Sequence, residues 1–171
     1  MKRRQLIVGD VFIVPIDGPH FGLGQVIATY GKDAYFLAIF DAVVGSDVSP
    51  EDLDRVREGP LVFLALAMDV KLAMGDWPIV ARRPVRPGLP LPAFKEMVGS
   101  PDRIDIVDYS GHRRRTSRPG EKDLVPNRKV IAPIRIEKAL RARHGFGSWT
   151  AAYDGLRLDE VNTTERLFLE E

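Results

Sequence analysis

The segment Ala34 to Asp41, AYFLAIFD, constrains the fold more than any other part of this chain. At strand spacing Tyr35, Leu37 and Ile39 face one way, and Phe36, Ala38 and Phe40 face the other. Both faces are apolar, so the strand needs cover on both sides. Two more β-branched runs precede it, Val11 to Ile16 and Gln25 to Tyr30. The second is joined to Ala34 by Gly31-Lys32-Asp33, a glycine-bearing loop of hairpin length. The first third therefore reads as antiparallel β-structure. Asp17 to Gly24, DGPHFGLG, reads as a tight loop entering the second strand, with Gly22 and Gly24 as bulge glycines. A dinucleotide-binding glycine loop would need a helix next, and strand follows instead.

Further along, Ser49-Pro50-Glu51-Asp52 has the composition of a helix start, and Gly59-Pro60 stops it. This short, charged helix is expected on the surface. Leu61 to Met68 is favoured as a strand, though a short apolar run also suits a buried helix. Trp77 to Ala81 reads as another strand. Pro84, Pro87, Pro90 and Pro92 then exclude helix and central strand. That segment is expected to strap the core rather than link domains, because Leu89, Leu91 and Phe94 favour burial. Arg103 to Tyr109 reads as a strand turning at Ser110-Gly111, with His112 to Arg115 beginning the return. Pro133 opens the clearest helix, Ile134 to His144, and a short helix is expected over Trp149 to Tyr153. The fold class is α+β: a strongly curved antiparallel sheet, with an SH3-like barrel as one form of it, one late helix and short surface helices. Residues 1–158 read as a single domain and 159–171 as an acidic, frayed tail.

The 171 residues include 25 basic and 24 acidic side chains and no cysteine. The balanced charge does not point to nucleic acid. Lack of cysteine removes disulfides, thiolate metal sites and cysteine nucleophiles, and it suits a reducing cytoplasm. The opening apolar run is broken by Gly9-Asp10, too soon for a secretory leader, and Leu61 to Met68 is too short to span a bilayer. His20, His112 and His144 share no metal-ligand spacing. No nucleophile motif, cofactor loop or metal site is expected.

Two charged patches stand out. Asp41, Asp47, Glu51, Asp52, Asp54 and Glu58 form an acidic stretch, offset by Arg55 and Arg57. Its simplest reading is a solvated helix face; another is a docking face for a basic protein. His112, Arg113, Arg114, Arg115 and Arg118 form the opposite patch. Arginines bind phosphate well, but the cluster has no aromatic side chain on which bases would stack. Trp77 and Trp149 sit beside apolar sequence and read as packing residues.

Four segments carry a family resemblance: GDVFIVPIDGPHFGLGQVI at Gly9 to Ile27, GDWPIV at Gly75 to Val80, LPLPAF at Leu89 to Phe94, and ALRARHGFGSW at Ala139 to Trp149. In their order and spacing they resemble the immunity protein 26 family of bacterial polymorphic toxin systems. The resemblance implies a small cytoplasmic antidote that binds a cognate toxin domain and blocks it, with no cofactor and no reaction. It carries over no catalytic residue. The toxin-binding face expected from charge and helical spacing, not from the resemblance, is the acidic helix, Asp47, Glu51, Asp54 and Glu58. The alternative is an SH3-like barrel module binding nucleic acid or another protein, with Arg113, Arg114, Arg115 and Arg118 as phosphate contacts. The opening also looks like the first hairpin of small barrels in ribonuclease-toxin families. Their usual arginine-proline pair after the second strand is missing, since Tyr30-Gly31-Lys32 follows.

Overall fold

Each apolar run of the first third becomes a strand of one antiparallel sheet. A computed structural model describes residues 4–169. The strands are β1 (Asp10–Asp17), β2 (His20–Tyr30), β3 (Ala34–Val44), β4 (Leu61–Met68) and β5 (Ile79–Arg82). They are ordered β4-β3-β2-β1-β5, so β4 and β5 form opposite edges and the sheet is open rather than a closed barrel. Among the described residues the sheet does not close into a barrel, and the expected antiparallel α+β class stands. Tyr35 to Phe40 are buried on both faces of β3, as its two apolar faces require. Leu61–Met68 is indeed a strand, paired along its length with β3.

The turn between β1 and β2 is shorter than expected. Only Gly18 and Pro19 lie outside the strands, and β2 begins at His20, not Gln25. Phe21 to Gly24 therefore joins the ladder, and the β2–β3 register shifts between Gly22 and Gly24, as bulge glycines imply. Proline at 19 sits in the turn, where its missing N–H costs nothing.

The chain falls into two compact units. The first comprises residues up to Pro87 together with Val130–Leu158, and the second Gly88–Lys129 with the segment from Asp159 onward. The proline segment expected as a strap thus contains the passage from one unit to the other, between Pro87 and Gly88. In the first unit, the helices are α1 (Pro50–Glu58), α2 (Val70–Ala73) and, later in the chain, α4 (Ile134–Arg143). A 3-10 helix spans Ala151–Leu156, where a short helix was expected slightly earlier. The core gathers Phe12, Val14, Leu37, Ile39, Phe63 and Trp77 from the sheet side, with Ile136, Ala139 and Leu140 from α4. Trp77 stacks on Phe12, with ring centroids 5.7 Å apart, and its indole N–H donates to Glu137 Oε2 at 3.0 Å.

The second unit is built on the antiparallel strands β6 (Phe94–Met97), β7 (Ile104–Val107) and β8 (Arg114–Thr116), in that order. The helices α3 (Glu121–Leu124) and α5 (Thr164–Phe168) complete it, and Ala93, Ile106, Val125 and Phe168 form its core. The stretch expected to fray holds α5, capped by the Thr163 side chain accepting from the Arg166 N–H, with Phe168 buried. No helix among the described residues is long and apolar enough to cross a membrane.

Candidate functional site

The acidic helix is locally over-determined. Ser49 Oγ accepts from the Asp52 N–H at 3.1 Å, and Asp52 Oδ2 accepts from the Ser49 N–H at 3.1 Å, a reciprocal capping box. Pro50 suits the first turn, and the Gly59 N–H closes the last by donating to Arg55 O. Val56 is buried and anchors the helix. Glu51, Asp54 and Glu58, three and four residues apart, are exposed together on its outer face. Asp47 is also exposed, in the bend before the cap. Asp52 is committed to the cap. Arg57 meets Glu58 at 3.3 Å, but both side chains are so exposed that the pair adds little. What remains is a fixed, solvated carboxylate face.

The arginine cluster is built differently. Arg114 donates to Glu96 Oε2 at 2.8 Å and lies 3.4 Å from Asp105 Oδ2. Arg115 makes a two-pronged contact with Glu121, at 2.6 and 2.7 Å, and also donates to Leu167 O. Arg113 donates to Phe168 O at 2.8 Å, and its guanidinium lies 4.7 Å from the Phe168 ring centroid. The Arg118 backbone N–H donates to Glu121 Oε2. Three of the four cations named as phosphate contacts therefore bind carboxylates or carbonyls of their own unit; Arg113 and Arg115 fasten α5, while Arg114 ties β8 to β6 and β7. The expected exposed hairpin is present, since β7 and β8 are antiparallel, but its arginines point their donors inward on structural partners.

Three carboxyls of the unit that contains this clasp titrate below their ordinary range. Arg115 holds Glu121 low by hydrogen bonding, against the opposing effect of burial and helped by the Arg118 N–H. Burial alone would raise Asp108, but bonds from Ser110 and from the backbone of Arg113, Gly111 and His112 outweigh it. In Asp159, burial is likewise outweighed, by bonds from Asn162 and Val161. These are structural carboxylates. Of the histidines, His20 opens β2, His112 contacts Ser110 Oγ at 2.9 Å, and His144 ends α4. Among the described residues no group of three or more His, Asp or Glu side chains is placed to hold a metal ion.

Residues 7–100, more than half of the chain, match the family described as Immunity protein 26. This chain belongs to the immunity protein 26 family. No curated protein and no solved structure matches it. The matched span runs from before β1 through β6 and includes α1; α4 and the arginines of β8 lie beyond it. An immunity family points to a non-catalytic, partner-binding role.

Within the immunity protein 26 span, two buried polar residues escaped the sequence reading. Asp10, 1% exposed, accepts from the Ile7 N–H at 3.0 Å and from Arg82 Nε at 3.2 Å. Gln25 Nε2 donates to Arg83 O at 2.8 Å across β1. Together they tie the β1–β2 opening to the end of β5, which accounts physically for the Gly-Asp that begins the motif. Gly9 completes the joint: its φ is +99°, and a Cβ there would stand 2.7 Å from Arg83 O. The only available signal was the break in the apolar run at Gly9-Asp10.

Proposed function

We propose that the protein binds a cognate secreted bacterial toxin domain and neutralises it without catalysis, working in the cytoplasm of the cell it protects. The family assignment carries this reading. A protein that acts only by occlusion needs a stable scaffold and a presented surface. The doubly covered sheet supplies the first.

The proposed toxin-docking surface is the α1 face of Glu51, Asp54 and Glu58, with Asp47 beside it. A toxin that attacks nucleic acid needs a basic cleft, and carboxylates presented on a rigid helix suit such a cleft. Complementary charge also speeds encounter. The capping box and Val56 support this reading, because they fix the helix without using the outer carboxylates. Reversing Glu51, Asp54 and Glu58 to lysine is expected to weaken binding of the cognate toxin domain, to be sought in the reading frames beside this chain's. A lower association rate and a reduced salt dependence should accompany the loss. Surface plasmon resonance at two salt concentrations checks this, with circular dichroism confirming the fold. Unchanged rates would place the interface away from α1.

The phosphate-binding alternative loses its motivation from the arrangement of Arg113, Arg114 and Arg115, whose donors already serve the second unit's own acceptors.

A further inference from the structure

Where α4 ends, the chain crosses an exposed loop into the 3-10 helix. Gly145 follows the helix with φ +85°, and the Phe146 N–H donates back to Arg141 O at 2.9 Å. Phe146 is left 45% exposed. Three residues on, Trp149 is half-buried and packs against the core with Tyr153. Its ring lies 6.2 Å from that of Phe63 and meets Tyr153 edge-on at 5.4 Å. Its indole N–H donates to Asp154 Oδ1 at 3.0 Å, and the Arg157 guanidinium lies 4.6 Å from the ring centroid. Val43, on β3, is a separate exposed apolar residue. It is paired with Gly22, whose Cβ direction points at Leu140 of α4, and it is 41% exposed.

The composition is that of an interface centre rather than of ordinary surface. Tryptophan, tyrosine and arginine carry most of the energy at protein interfaces, and rigid aromatics lose little entropy on binding. The charges indicate the partner. Arg141 is exposed and has no carboxylate partner among the described residues. Arg143 and Arg157 each meet one carboxylate through a single exposed contact, at 3.3 Å to Asp41 and 3.7 Å to Asp154. All three keep donors for an acidic partner. A two-fold contact with a second copy would set these cations against each other. Single-stranded nucleic acid needs a free ring face, and Arg157 already covers that of Trp149.

From this we infer that the surface of Phe146, Trp149, Tyr153 and Arg157, with Arg141, is a second protein-docking site. It takes a segment of the toxin domain that carries an apolar side chain flanked by carboxylates. The inference rests on the toxin-binding reading but not on the acidic face of α1. Asp41 joins the two areas: its carboxylate takes Arg143, and its backbone N–H donates to Pro60 O, just past the end of α1. One partner can therefore cover both.

The test uses the full chain and its cognate toxin domain, identified by the protection the chain confers against it. Phe146→Asp combined with Arg141→Glu alters only exposed side chains. It is expected to weaken toxin binding by about 30-fold or more, with the unfolding midpoint unchanged. Arg157→Ala, which leaves Trp149 in place, should weaken it by about 10-fold. Native affinity in both variants would overturn the inference while leaving toxin binding intact. A native protein that binds no toxin would remove both readings together. Labelled single-stranded RNA bound at physiological salt, and lost in the same variants, would assign the surface to nucleic acid instead.

Discussion

Gly24→Ala is expected to destabilise the protein by about 1–3 kcal/mol, the usual cost of overpacking a well-filled core. An added Cβ would stand 2.5 Å from Phe12 Cε2 and Cζ and 2.9 Å from Ile39 Cδ1. Neither neighbour has room to retreat. Phe12 is fully buried and stacked on Trp77, and Ile39 is fully buried in the same core. Alanine's advantage over glycine in a strand, roughly 0.5–1 kcal/mol, offsets part of the clash but not all of it. Gly22→Ala makes an instructive contrast. Its nearest contact is Leu140 Cδ2, the tip of a side chain with rotamers to choose from, so a smaller loss is expected. Urea denaturation of the two variants orders these effects. A Gly24→Ala midpoint equal to that of the native protein would mean that the Phe12–Trp77 stack is looser than the geometry implies.

Arg115→Ala is expected to cost about 2–4 kcal/mol and to act on the second unit alone, because it strips a nearly buried carboxylate of both its charged hydrogen bonds. Glu121 loses two contacts, and Leu167 O loses a guanidinium donor. Lysine should not rescue the variant, since an ammonium cannot reproduce the two-pronged geometry. Hydrogen exchange should show the amides of α5 opening first. Acid gives the same result by another route. Glu121, Asp108 and Asp159 are all held below their ordinary values of 4.5 and 3.8. The stability they contribute is therefore complete above those values and is lost as pH falls through the lowered ones. The second unit should loosen below about pH 4, and Arg115→Ala should flatten the part of that dependence due to Glu121. Equal exchange of α5 in native and variant protein would refute the clasp.

The residues that sequence reading placed well are those whose neighbours are close along the chain. The two apolar faces of β3 require cover whatever supplies it, and Ser49 to Asp52 settles its own helix by capping. The late helix follows from Pro133 and its apolar stripe. What escaped depends on distant partners. Nothing near Asp10 announces Arg82, and nothing near Arg115 announces Leu167 or singles out Glu121, six residues on, as its partner, so an arginine clasp read as a free basic turn. The same gap hid α5, whose stability comes from the Phe168 contacts and the Thr163 cap rather than from an amphipathic pattern five residues long. The start of β2 was misplaced because Gly22 and Gly24 look like loop residues. In the sheet they are required by the close approach of Leu140 and Phe12. The candidate docking face was legible as a charge pattern. The aromatic surface beyond α4 was not, because Phe63, Trp149 and Arg157 meet only in the folded chain.

On the proposed function, this chain neutralises a toxin by binding it. The direct measurement is titration of purified protein into its cognate toxin domain, following complex formation by calorimetry and toxin activity in the same samples. The expected result is a complex with Kd on the order of nanomolar or tighter, as for other inhibitory complexes of standard interface size, and loss of toxin activity in proportion to complex formed. Full toxin activity at saturating protein, with no heat of binding, would contradict it.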